Sequence, residues 1–145
     1  MRRCLVICTA ILLLMAPKKP KQETTKSDKE EFQGTWVVLE GSTQNGKPLP
    51  ADLVRSLRIT FTGDKIVIRN GDDTREGTFT LDPKAKPKAI TINHSDGKTK
   101  PSRGIYVFDR GLIKMLFADP GKKRPTGFRT EGDKGDFVAL QRVKS

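Results

Sequence analysis

From Phe32 onward the chain alternates. Apolar side chains recur two apart in short runs, and Gly, Asp, Asn and Pro separate the runs. Leu57, Ile59 and Phe61 alternate with Arg58 and Thr60; Ile66 and Ile68 are spaced the same way, as are Phe79 and Leu81, then Ile90 and Ile92. A period of two puts one set of side chains on one face of an extended strand and leaves the other face to solvent. Together with GTWVVLE at 34–40, GIYVF at 104–108, LIKMLF at 112–117 and DFVALQRV at 136–143, these runs predict eight strands. No long apolar stripe at helical spacing interrupts them. One short helical turn is expected near 50–57, where Pro50 suits a first turn and Leu53, Val54 and Leu57 share a side. Gly63-Asp64, Asn70-Gly71 and Asp109–Gly111 are tight connections; Asn70-Gly71 is the strongest hairpin signal, because both residues tolerate positive φ.

Short connections favour all-β, up-and-down antiparallel order. An eight-stranded sheet of this kind closes on itself and loses its edges. Its interior is then filled by side chains or holds one small ligand.

The N-terminus has a different texture. Arg2 and Arg3 precede an uncharged apolar run of 13 residues, Cys4 to Ala16. A membrane span needs about 20 residues, so residues 1–16 read as the signal segment of an exported protein: periplasmic, envelope-bound or extracellular. Ala16 is the plausible cleavage residue, although Leu14 is large for its place and Pro17 follows directly. A membrane contact is expected only if this segment stays uncleaved. Residues 17–31, PKKPKQETTKSDKEE, carry no apolar side chain beyond their prolines and read as a disordered linker. The barrel domain is expected over 32–145.

Gly34-Thr35-Trp36 at the start of the first strand resembles the Gly-x-Trp signature of lipocalin-like barrels. That resemblance implies that Trp36 closes one end of the barrel, with Arg142 of the last strand lying across it. FQGTW at 32–36, GKPLP at 46–50, EGTFTLDPKAKPKAI at 76–90, GIY at 104–106 and PGKKRPTGF at 120–128 together resemble an uncharacterised lipocalin-like domain family abundant in planctomycete bacteria. The resemblance implies an exported eight-stranded lipocalin-like barrel and brings no activity with it. Two positions depart from the pattern: Leu116 stands where a Cys is expected, and Gly127 where an acidic residue is expected before Phe128.

Chemistry-bearing residues are sparse. Cys4 and Cys8 both lie in the N-terminal run, so a processed domain has no thiol for catalysis, disulfides or metal. His94 is the single histidine; alternation puts it inward at a strand end after Ile90 and Ile92, where a hydrogen-bonded wall residue is the ordinary reading. No metal site, cofactor or catalytic residue is expected. Most aspartates fall in turns, where they cap local amides.

The net charge of +11 falls to +9 once Arg2 and Arg3 are subtracted. In an up-and-down barrel the connections after strands one, three, five and seven share an end. They carry Lys47, Arg55, Lys98, Lys100, Lys122, Lys123 and Arg124, with Asp72, Asp73, Asp96 and Asp119 among them. A basic mouth follows, with Lys98, Lys100, Lys122, Lys123 and Arg124 as candidate contacts for an anionic ligand. Nucleic acid is disfavoured, because Trp36 and Tyr106 are too few for a stacking platform.

These features lead to a monomeric, non-enzymatic binding or interaction domain of the cell envelope, carrying a small apolar or amphipathic ligand. One alternative is a structural or protein-interaction module with a packed interior, whose basic rim contacts anionic envelope polymers. Another is an envelope hydrolase or isomerase using His94 with a carboxylate. Phe61, Phe79, Met115 and Phe117 discriminate the first two, since inward-pointing they could fill the barrel.

Overall fold

Eight strands close into an antiparallel barrel in a computed structural model of the chain, which describes residues 26–43, 45–128 and 135–144. They are β1 (Gly34–Ser42), β2 (Leu57–Thr62), β3 (Lys65–Asn70), β4 (Asp73–Asp82), β5 (Ala89–His94), β6 (Ser102–Asp109), β7 (Leu112–Phe117) and β8 (Asp136–Arg142). Each strand pairs with its sequence neighbours, and β1 pairs with β8 to complete the ring. The proposed signal segment and linker residues 17–25 lie outside the described residues.

Alternation sets the register. Ile59 stands opposite Ile68, Phe61 opposite Ile66, Phe79 opposite Ile92 and Tyr106 opposite Met115. All of these face inward, and Phe61, Phe79, Tyr106 and Met115 are 1–2% exposed. The middle of the barrel is therefore packed; Phe61, Phe79 and Met115 fill it, and half-buried Phe117 lies against them.

Two readings are corrected here. The expected hairpin at Asn70-Gly71 sits one residue later: Asn70 pairs with Asp73, so Gly71-Asp72 form the turn and only Gly71 takes positive φ (60°). Positive φ at the first central position alone fits the twist of the flanking strands and leaves Asn70 free to pair. The linker reading also ends too late. Asp28–Phe32 form a helix, α1, begun by a capping box in which Ser27 and Glu30 bond each other's backbone N–H. A second helix, α2 (Ala51–Ser56), occupies the helical turn expected near 50–57.

α1 closes the barrel end reached by the β2–β3, β4–β5 and β6–β7 connections. Phe32 is fully buried, with its ring 5.0 Å from Phe61, 5.1 Å from Tyr106, 5.5 Å from Phe108 and 6.0 Å from Phe79. Its carbonyl accepts the Trp36 indole N–H at 2.8 Å. Arg142 stacks on Trp36, Cζ 4.3 Å from the ring centroid, and donates to the carbonyls of Glu31 and Gln33. Those carbonyls end a helix too short to bond them internally, so the guanidinium serves as its C-terminal cap. Asp28 accepts from Lys88 Nζ (2.8 Å) and Tyr106 Oη (2.7 Å), and Lys29 pairs with Asp64.

The first part of the β7–β8 connection, residues 118–128, lies against the outer wall at Arg124. Ile105 and Leu116 pair on the outward face yet are 0% and 6% exposed. Gly135 lies so close to Leu116 that a Cβ there would come within 3.0 Å of Cδ1. Arg124 donates to the carbonyls of Ile90 (2.5 Å) and Gly104 (2.6 Å) and to Thr91 Oγ1 (2.8 Å), fixing this connection to β5 and β6.

Candidate functional site

The end opposite α1 holds a cavity of about 290 Å³. Its apolar lining comes from Leu53 of α2, Leu57 of β2, Ile66 and Ile68 of β3 and Ile92 of β5. α2 is held over this mouth by Ser56, whose hydroxyl donates to Asn70 Oδ1 at 2.7 Å. Gly77 of β4 also lines the cavity. Gly77 stands opposite His94, and the strands approach so closely that a Cβ would lie 2.3 Å from the Asn93 carbonyl oxygen.

Polar groups gather on one side of the opening: Asn70, Asp73, Arg75, Glu76 and His94. His94 is half-buried, inward-facing and at the end of β5, with its Nε2 2.9 Å from Ser102 Oγ. The imidazole's hydrogen bond thus goes to a hydroxyl, not to the carboxylate that acid–base chemistry at His94 would need. Arg75 and Asp73 pair across 3.4 Å, with both side chains largely exposed. Such a pair contributes little to stability and can exchange for a ligand's charge. No group of three or more His, Cys, Asp or Glu among the described residues is placed to hold a metal.

The candidate rim cations divide. Lys98, Lys100, Lys122 and Lys123 are exposed on the β5–β6 and β7–β8 connections, at the same end as the cavity. Arg124 does not join them: it is half-buried, and burial first, then the charge of Arg103, pulls its pKa below the usual guanidinium value. Its three hydrogen bonds hold the connection in place, a structural role that the Lys122-Lys123-Arg124 run conceals. In the β5–β6 connection, Asp96 is held down to a pKa of about 2 by the Thr99 hydroxyl and by the N–H groups of Thr99 and Lys98. Of the candidate interior residues, His94 reaches the mouth, whereas Phe61, Phe79 and Met115 belong to the packed middle. The sequence reading missed the lining pair Leu57 and Ile68 as ligand contacts, and Gly77 as the position where β4 and β5 approach too closely for a side chain. A lone Gly in a strand with β-branched neighbours signals close backbone approach, and EGTFTL carried that signal.

No protein-family model matches the chain, and no curated protein matches it. Among solved structures, the chain is similar to a DUF4847 family protein from Bacteroides vulgatus, at 20% identity and a TM-score of 0.48, over 79% of this chain and 95% of that one. The barrel here is established by its own strand order, not by that likeness.

Proposed function

We propose that this chain is an exported, non-enzymatic binding domain of the cell envelope, a lipocalin-like barrel that seats a small amphipathic molecule at its mouth. The mouth cavity carries this reading: an apolar floor of Leu57, Ile66, Ile68 and Ile92 under a one-sided polar edge at Asn70, Arg75 and His94. Ligand sites are typically apolar cavities of roughly 300–1,000 Å³ with a few placed polar groups, and this one lies at the small end of that range. The packed middle of the barrel excludes a long ligand along the axis and favours a short tail in the cup. Each buried methylene contributes about 0.8 kcal/mol, so a tail of five or six gives a Kd of roughly a millimolar before its head group is counted. The positive n-region and apolar run at residues 2–16 support export.

Native mass spectrometry of protein purified from its own host tests the reading, with octanoate titration as the second probe. A retained small-molecule mass, or saturable octanoate binding, is expected in the wild type and is lost in Ile68→Trp, which fills the cup. Wild-type protein that retains nothing and binds no octanoate refutes the proposal, as does unchanged binding in a folded Ile68→Trp variant.

A further inference from the structure

The surface beside the mouth, on two adjoining connections, carries a separate inference. The β5–β6 connection (95–101) and the start of the β7–β8 connection (118–123) are stitched together. Gly121 N–H donates to the Pro101 carbonyl at 3.3 Å, and Ala118 N–H to the Arg103 carbonyl at 3.0 Å. The Lys100 stem lies on Gly121, where an added Cβ would come within 2.6 Å of its Cδ. Arg124 then anchors the second connection to the barrel wall. These contacts bring together the segments that carry Lys98, Lys100, Arg103, Lys122 and Lys123, all of them exposed.

The ion pairs at Lys29, Lys65, Arg75, Lys88, Arg110 and Lys114 involve none of these five cations. The acidic residues of the same segments are Asp96 and Asp119. Asp96 is turned into its own loop, bonding Thr99 and the Lys98 N–H. Four other lysines, Lys29, Lys65, Lys88 and Lys114, do form ion pairs. Five exposed cations thus lie on adjoining segments that are braced from beneath.

We infer that this face binds a linear acidic polysaccharide, a carboxylated or sulfated glycan chain lying across the two connections. Residues 95–101 and 118–123 contain no large apolar or aromatic side chain. The exposed large hydrophobics, Leu39, Val107 and Val143, all lie on other parts of the molecule. A membrane-binding patch couples its basic residues to apolar side chains that enter the interface, and a single-strand nucleic-acid site stacks bases on aromatics. Neither kind of group is present on this face. Spaced, well-hydrated lysines suit the spaced charges of a polysaccharide, held by screened contacts.

The test is binding of polygalacturonate to protein purified from its host, measured across a salt series. Wild type is expected to bind, and binding should weaken steeply as salt rises. Lys122→Glu with Lys123→Glu should weaken it about thirtyfold or more, since the loss of two close charge contacts in water alone is worth about that much and reversal adds repulsion. Lys84→Glu with Lys86→Glu makes the same change in net charge on the β4–β5 connection at the opposite end and should leave affinity within about threefold, because it lies beyond a Debye length. If the first double variant does not fold, Lys98→Glu with Lys100→Gln takes its place. Absence of wild-type binding, equal weakening by the Lys84/Lys86 variant, or tighter binding to phosphatidylglycerol vesicles than to the polymer would each overturn the inference. Filling the cup with Ile68→Trp should leave polymer binding unchanged, so this result stands or falls separately from the small-ligand proposal.

Discussion

Replacing Phe32 with alanine measures how much of the fold depends on the α1 plug. The ring is fully buried and meets four aromatic rings at centroid distances of 5.0–6.0 Å, three of them edge-on. Removing a buried Phe costs about 3–5 kcal/mol, the transfer of the ring plus the cavity left behind. Edge-to-face contacts add about 0.5–1.5 kcal/mol per pair beyond area burial, which puts Phe32→Ala near the top of that range. At about 4 °C per kcal/mol for a domain near 100 residues, the thermal midpoint should fall by about 12–20 °C. Urea denaturation followed by Trp36 fluorescence is the direct assay, since the indole bonds the Phe32 carbonyl and reports the same end of the barrel. Phe32→Leu, which keeps most of the volume, should lose only about 1–2 kcal/mol. A loss below about 1 kcal/mol for Phe32→Ala would refute the plug, because that is the cost of a side chain in a linker.

Three further predictions follow from local contacts. Burial raises the Asp28 carboxyl pKa, but the hydrogen bonds from Lys88 and Tyr106 and the Lys88 charge outweigh it and hold the group below its ordinary 3.8. The folded protein then binds fewer protons than the unfolded chain, so this stabilisation is present above about pH 3.8 and is lost as pH falls through the folded value; a pH series of thermal midpoints below pH 4 should be flatter for Asp28→Asn than for wild type. Arg124→Met removes three hydrogen bonds and should cost about 1.5–3 kcal/mol while speeding proteolysis within 118–128; a cleavage rate equal to wild type would show that Arg124 is no anchor. Gly77→Ala sets a Cβ 2.3 Å from the Asn93 oxygen and should cost about 2 kcal/mol or more by chemical denaturation, a cost that Gly127, with open space around it and no positive φ, would not show.

The strands were legible because a half-buried sheet writes its register into every second residue, and Ile59, Phe61, Ile66 and Ile68 kept to that rule. The alternation also placed His94 inward at the mouth. What it could not show was any contact that ignores periodicity. α1 spans five residues and buries one of them, Phe32, so it leaves no apolar stripe; its readable sign was the Ser27-x-x-Glu30 capping pattern. Arg124 was misplaced because its partners are backbone carbonyls of other strands, which no sequence reveals. The cup was only half legible, because its shape depends on the close approach of β4 and β5 at Gly77 and on α2 holding Leu53 over the mouth.

The β1–β8 closure has a mechanical consequence. Trp36 pairs with Arg142, so the chain enters and leaves the barrel at the same end, on adjacent antiparallel strands. Tension applied between the two ends of the domain would load this seam as a zipper, rung by rung from Trp36–Arg142 toward Ser42–Phe137, and not as a shear clamp in which all rungs share the force. A barrel held by a continuous core is thus weak to pulling along one line, and the bond from Val143 N–H to the Thr35 carbonyl, with the Arg142 guanidinium on Trp36 behind it, is the first to bear it.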